Sequence, residues 1–227
     1  MKKLIIANWK LNPATLEDAR DLAASISIKA KNKVVLCVPT VYLSNIQYPN
    51  LGAQDCFWES SGAFTGQTSA LQLKSLKIKY CIVGHSERRT VGDTDEMINL
   101  KLKTLISHGL TPILCVGFGT KVEQDDLEVV DVLKSQLDTD LAGVDAYKVI
   151  VAYEPVWAIG TGKNATPEHA EKIAIFIKSK YGVLKVLYGG STNANNSKSF
   201  LDQPNIDGLL VGGASLIASQ FNQIINY

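Results

Sequence analysis

Eight short apolar runs, each separated from the next by a polar or amphipathic stretch, constrain this chain more than any other feature. They are Leu4–Asn8, Val34–Val38, a weaker Leu51–Gln54, Tyr80–Val83, Thr111–Val116, Val149–Tyr153, Lys185–Tyr188 and Gly208–Val211. Runs this short and this rich in Val, Ile and Leu read as strands buried on both faces, the signature of a parallel sheet covered by helices. The intervening stretches carry helix starts: Thr15 with Asp18 three later, Asp93/Thr94 ahead of Met97 and Leu100, and Thr166-Pro167-Glu168 as cap, first-turn proline and first-turn acid. In the first of them Leu16, Ala19, Ala23 and Ile26 form one apolar stripe, as on a helix lying against a sheet. Eight strand-helix units without a Pro/Gly/Ser-rich linker predict one domain over residues 1–227, an α/β protein of the (β/α)8 barrel class. The rival, an open doubly wound sheet, would need a Gly-rich fingerprint after its first strand, and Ala7-Asn8-Trp9-Lys10 is not one.

Composition narrows the function classes. Lys+Arg 23 against Asp+Glu 22 leaves a net charge of +1, so no overall field recruits nucleic acid or an anionic membrane, and any anion must be held locally. The basic start Met1-Lys2-Lys3 precedes an apolar run that Asn8 and Lys10 cut far below a signal-peptide core, and no other stretch approaches a membrane span. Cys37, Cys56, Cys81 and Cys115 show neither C-x-x-C nor metal-site spacing, which points to buried reduced thiols and a cytoplasmic setting.

In a parallel barrel chemistry sits at the C-terminal ends of the strands, so the residues there are the candidates. Glu154 directly follows the sixth run and leads into Pro155-Val156-Trp157-Ala158-Ile159-Gly160-Thr161-Gly162-Lys163, a stretch that reads as a hinged lid beside a base. Asn8 and Lys10 stand two apart at the end of the first run and so face one side, with Trp9 opposite; taken alone the pair is equally an ordinary polar strand end. His85 follows the fourth run in Gly84-His85-Ser86-Glu87-Arg88-Arg89, where Ser86-Glu87 suits a helix start and Glu87 can pair with Lys10 or with Arg88/Arg89. His108 and His169 read as surface or capping residues. Glycine turns Tyr188-Gly189-Gly190-Ser191 and Val211-Gly212-Gly213-Ala214-Ser215 follow the seventh and eighth runs, where bare N–H groups and a helix start can converge on a phosphate.

Asn8-Trp9-Lys10, Gly84 to Arg89, the twelve residues Ala152 to Lys163, Tyr188 to Ser191 and Val211 to Ser215 together resemble the triosephosphate isomerase family, and the likeness runs the whole length of the chain. Gly52-Ala53-Gln54-Asp55-Cys56 and Gly62-Ala63-Phe64-Thr65-Gly66 resemble that family's third barrel loop. The resemblance implies interconversion of glyceraldehyde 3-phosphate and dihydroxyacetone phosphate, with Glu154 as general base, His85 as electrophile, Lys10 as charge stabiliser and Asn8 as a substrate contact. It further implies Gly160, Ser191, Gly212 and Gly213 around the phosphate, no cofactor or metal, and a homodimer in which the Gly62 to Gln67 loop docks on a neighbouring subunit. Departures stand at Gln67, Phe118 and Thr192, where the family usually carries Glu, Glu and Val, and between Arg89 and Gly92, where a residue is lacking. At 227 residues the chain is also shorter than the ~250 usual for this barrel, which predicts trimmed outer helices, most visibly the fifth at Asp125 to Leu137. Two other readings stand beside the isomerase: a barrel lyase or aldolase, for which Lys148 and Lys185 lie at the wrong ends of their strands, and a catalytically dead binding protein, which would have lost the base or the electrophile.

Overall fold

A computed structural model describes residues 2–158 and 165–227. All eight runs form strands: β1 Leu4–Asn8, β2 Lys33–Cys37, β3 Leu51–Ala53, β4 Tyr80–Val83, β5 Thr111–Val116, β6 Ile150–Tyr153, β7 Lys185–Tyr188 and β8 Gly208–Val211. They pair in parallel in sequence order, and β8 closes on β1 with Leu4 beside Gly208 and Ala7 beside Val211, making the closed barrel the alternation predicts.

The strands are uniformly apolar because both of their faces are buried. Leu4, Ile6, Val35, Cys37, Ile82, Ile113, Cys115, Ile150, Ala152, Leu187 and Leu210 fill the barrel interior, while Ile5, Ala7, Val34, Leu36, Val83, Leu114, Val151, Val186 and Val211 join the larger cluster outside it. This period of two aims the functional residues. Leu4 and Ile6 point inward and Asn8 continues their series; Ile150 and Ala152 point inward and Glu154 continues theirs, placing both at the C-terminal mouth. Trp9, one step out of phase, is fully buried in the outer cluster. All four cysteines are free and buried.

The helices begin where their caps predict. In α1 (Leu16–Ser25), α4 (Asp95–Ser107) and α6 (Pro167–Tyr181) the hydroxyls of Thr15, Thr94 and Thr166 accept from the N–H of Asp18, Met97 and His169. Gly182, in the left-handed region at φ 69°, ends α6. The remaining helices are α2 (Ala70–Ser75), α3 (Ser86–Thr90), α5 (Asp126–Asp140), α7 (Ser197–Leu201) and α8 (Ala218–Ile225). The shortening does not fall where the sequence suggests: α5 runs 15 residues with a complete capping box from Asp125 and Glu128. It falls between β2 and β3, where a single 3-10 turn at Thr40–Tyr42 replaces a helix. Pro39 and Pro49 bracket that crossover and confine any helix to the few residues between them.

Candidate active site

The strand ends at the C-terminal mouth surround a cavity of about 170 Å³ lined by Asn8, Lys10, His85, Glu154, the Gly189 to Thr192 turn and Gly212 to Ala214. A space of that size suits a substrate of a few heavy atoms rather than a large cofactor. Of the candidate residues, Asn8, Lys10, His85, Glu154, Ser191, Gly212 and Gly213 meet here, whereas Gly160 lies outside the described residues, as does the rest of the lid beyond Ala158.

Glu154 is 2% exposed. One carboxylate oxygen, Oε2, accepts from the Ser86 N–H at 3.1 Å, and Oε1 lies 3.2 Å from His85 Nε2. Neutral glycine surfaces admit it on two sides. Gly117, at φ 114°, brings its Cα so close that a Cβ would sit 2.3 Å from the Glu154 carbonyl oxygen, and a Cβ on Gly189 would sit 2.9 Å from Glu154 Cγ. Behind the carboxylate lies Cys115, whose thiol is pushed well up by burial first and by the Glu154 charge second, so it stands there as a neutral S–H.

His85 is the N-cap of α3, and its Nδ1 accepts from the Glu87 N–H at 3.2 Å. A nitrogen that accepts from a backbone N–H carries no proton of its own, so the imidazole is the neutral tautomer with its hydrogen on Nε2, facing Glu154 and the cavity. The Glu87 carboxylate lies farther from Nδ1, at 3.5 Å, and its other oxygen takes the Lys10 ammonium at 2.6 Å. Of the partners open to Glu87 in the sequence, Lys10 is the one it uses.

Lys10 leaves the strand: its φ is 53°, a left-handed conformation that a side chain resists. The Asn8 side chain accepts from the Lys10 N–H at 3.1 Å, and Gln54 Nε2 donates both to the Lys10 carbonyl at 2.9 Å and to the Cys37 carbonyl at 3.0 Å. Gln54 therefore fastens the strained residue to β2. Sequence reasoning quoted it only as part of a resemblance, since nothing in Gly52-Ala53-Gln54 announces that its amide crosses two strands.

Arg89 supports the site from beneath. Its side chain is 5% exposed and donates to the carbonyls of Gly84, at 2.9 Å, and Cys115, at 3.3 Å, and it pairs with Asp95 and, at 2.9 Å, with Asp140. Burial pushes the Asp140 carboxyl up to about 8, a shift that the Arg89 guanidinium at 2.9 Å opposes and the neighbouring Asp95 adds to.

His169 does more than the surface or capping position the sequence suggests. Its Nδ1 lies 2.7 Å from Asp126 at the start of α5 and its Nε2 lies 2.9 Å from the Tyr153 hydroxyl, so it ties α5 and α6 to the end of β6. His108, in contrast, does cap: it ends α4 and bonds the Thr104 carbonyl at 2.8 Å. The turn after β8 is also not followed directly by an α-helix; Gly213–Leu216 is a 3-10 turn, with α8 beginning at Ala218.

A sequence profile described as triosephosphate isomerase matches residues 3–227. The chain is 44% identical to the triosephosphate isomerase of Trichodesmium erythraeum (strain IMS101) over 241 aligned positions that cover 100% of both chains. It is 43% identical to that of Thermoanaerobacter sp. (strain X514) and 42% identical to that of Nostoc sp. (strain PCC 7120 / SAG 25.82 / UTEX 2576), again over the whole of each chain. This chain belongs to the triosephosphate isomerase family. The family's reaction is the interconversion of D-glyceraldehyde 3-phosphate and dihydroxyacetone phosphate, an isomerisation within glycolysis and gluconeogenesis. For a triosephosphate isomerase the chemical demand is a base for one proton and a donor for one oxygen, and Glu154 and His85 are the buried acid and imidazole of this cavity.

Proposed function

We propose that Glu154 is the general base, His85 the electrophile, Lys10 the charge stabiliser and Asn8 a substrate contact, with Ser191, Gly212, Gly213 and Gly160 around the phosphate. In this reading Glu154 releases the Ser86 N–H and removes the proton from the carbon next to the carbonyl. The C–H electrons form the carbon–carbon double bond, and the carbonyl electrons move onto oxygen, which accepts the His85 Nε2 hydrogen. The protonated Glu154 then returns the proton to the former carbonyl carbon, while His85 takes up the hydroxyl hydrogen on the adjacent oxygen in exchange for the one given to the former carbonyl oxygen. The old hydroxyl becomes the new carbonyl, both side chains are restored, and the aldose–ketose exchange needs no redox change. The Lys10 ammonium faces the negative charge of the enediolate and of the phosphate at once.

The observation that carries this reading is the Glu87 N–H on His85 Nδ1, which directs the hydrogen on Nε2 toward Glu154 and the cavity. Turnover in deuterium oxide tests it: recovered substrate and product should carry deuterium at the carbons that exchange a proton with the base. A product formed at full rate with no solvent-derived deuterium, in an enzyme whose base is open to exchange, would indicate direct hydride movement instead.

The same reading extends to assembly and location. The whole chain acts as one domain over residues 1–227, and it pairs as a homodimer. Leu11, Val41 and Val91 beside the cavity are 91%, 74% and 70% exposed, and Phe64 at the tip of the Gly62 to Gln67 loop is 43% exposed. Apolar surface of this kind is covered when a second copy docks its loop there. Light scattering on active protein should give twice the chain mass; an active species of one chain mass overturns the pairing. Four free buried thiols suit a reducing cytoplasm, and no helix among the described residues is long and apolar enough to cross a membrane.

A further inference from the structure

The polar side chains lining the cavity are Asn8, Lys10, His85, Glu154, Ser191 and Thr192. Asn8, Lys10, His85 and Glu154 hold the hydrogen bonds given above, and Ser191 is engaged as well. Thr192 differs from these. It is 7% exposed, its Oγ1 is closed off from solvent, and it has no hydrogen-bond partner among the described residues. A buried hydroxyl without a partner is a net cost to folding, so a sequence that merely needed a β-branched residue here would do better with valine. The next four residues do not absorb it. Asn193 Oδ1 accepts from the N–H groups of Asn195 and Asn196, and Asn196 Nδ2 donates to the Ser191 carbonyl, which locks the turn while leaving the Thr192 hydroxyl out of the network.

We propose that the Thr192 hydroxyl is a ligand of the substrate's phosphate, adding a side-chain donor to the backbone donors of the two glycine turns. Thr192 and its neighbour Ser191 line the same cavity as Gly212 and Gly213, and the Lys10 side chain approaches Gly212. A rotation about χ1 between staggered positions exchanges the hydroxyl with the methyl without moving the backbone, so the donor can turn to the cavity when an anion arrives. Only then does the O–H gain a partner, and that partner is charged, which makes the bond one of the stronger kind. The bond favours phosphate over an uncharged substituent of the same shape and is made equally with aldose, enediolate and ketose, because the phosphate takes no part in the proton transfers. Its loss should therefore appear in KM more than in kcat.

The inference rests on the phosphate reading of this cavity, and inorganic phosphate separates the two. KM for both triose phosphates and the inhibition constant for inorganic phosphate would be measured on the wild-type protein, Thr192→Val and Thr192→Ser. The expected result is a rise of about tenfold or more in KM and in the phosphate inhibition constant for Thr192→Val, with Thr192→Ser close to wild type. If phosphate competes equally well against the wild type and Thr192→Val, the Thr192 assignment is wrong and the phosphate cavity stands. If phosphate does not compete with substrate in the wild-type protein, the cavity reading fails and the Thr192 ligand with it. Equal weakening in Thr192→Val and Thr192→Ser would trace the effect to the packing of the methyl group and overturn the proposal. A hydroxyl with no function gives the reverse pattern, a Thr192→Val protein that melts higher and binds phosphate unchanged.

Discussion

Replacing Gly189 by alanine perturbs the base without touching its chemistry. Gly189 is not in a left-handed conformation, so the substitution brings no backbone strain and its effect is one of space. The new Cβ would stand 2.9 Å from Glu154 Cγ, 3.2 Å from the Tyr153 carbonyl oxygen and 3.7 Å from Glu154 Oε1. Carbon atoms rest about 3.5–4.0 Å apart, so Cγ must move by roughly half an ångström or more. The carboxylate oxygens lie further along the side chain and move further still, and their contacts to Ser86 and His85, at 3.1 and 3.2 Å, have little length to spare. A positioned base contributes about 10²–10⁴-fold, and a misplacement near 1 Å costs on the order of 10²-fold, so kcat should fall about 10- to 100-fold with KM nearly unchanged. That corresponds to roughly 1.4–2.7 kcal/mol of transition-state stabilisation. The assay is a coupled rate measurement in both directions, with circular dichroism melting to show that the barrel is intact. A folded Gly189→Ala protein with kcat within about twofold of wild type would refute the argument that this glycine is needed to seat the base.

Two further substitutions test the support of the site. Gln54→Leu leaves the Lys10 carbonyl without its donor, while the Cys37 carbonyl keeps the Trp9 N–H, which should cost about 1–3 kcal/mol in denaturant unfolding and lower kcat/KM as Lys10 relaxes from its left-handed conformation; unchanged stability would mean that another donor takes over. Arg89→Met leaves Asp140 buried without its partner and should destabilise the fold by about 3–5 kcal/mol, read as a shift in the urea midpoint, and a shift under about 1 kcal/mol would mean that Asp140 becomes neutral at little cost.

What the sequence makes legible is what local periodicity controls. An uninterrupted apolar strand of period two fixes which residues look into the barrel, and that alone carries Asn8 and Glu154 to one mouth. The Thr caps and Gly182 are likewise local devices, and their helices begin and end beside them. The positions the sequence does not give away are set by partners distant in the chain. Gln54 acts on Lys10 and Cys37, Arg89 on Gly84, Cys115 and Asp140, and His169 on Asp126 and Tyr153. The first-turn place of His169 reads as a surface or capping position, but its ring reaches across to the end of β6. The trimmed crossover between β2 and β3 had a local signal in Pro39 and Pro49, and the shortening was instead expected at α5, whose capping box argues for a full helix.

Glu154→Gln tests the central claim most directly, because the amide keeps the size and polarity of the side chain and removes only its basicity. Single-turnover and steady-state isomerisation should both fall by at least about 10²–10⁴-fold, with the melting curve and the phosphate inhibition constant close to wild type. A folded Glu154→Gln protein that isomerises triose phosphates at the wild-type rate would contradict the assignment of Glu154 as the base.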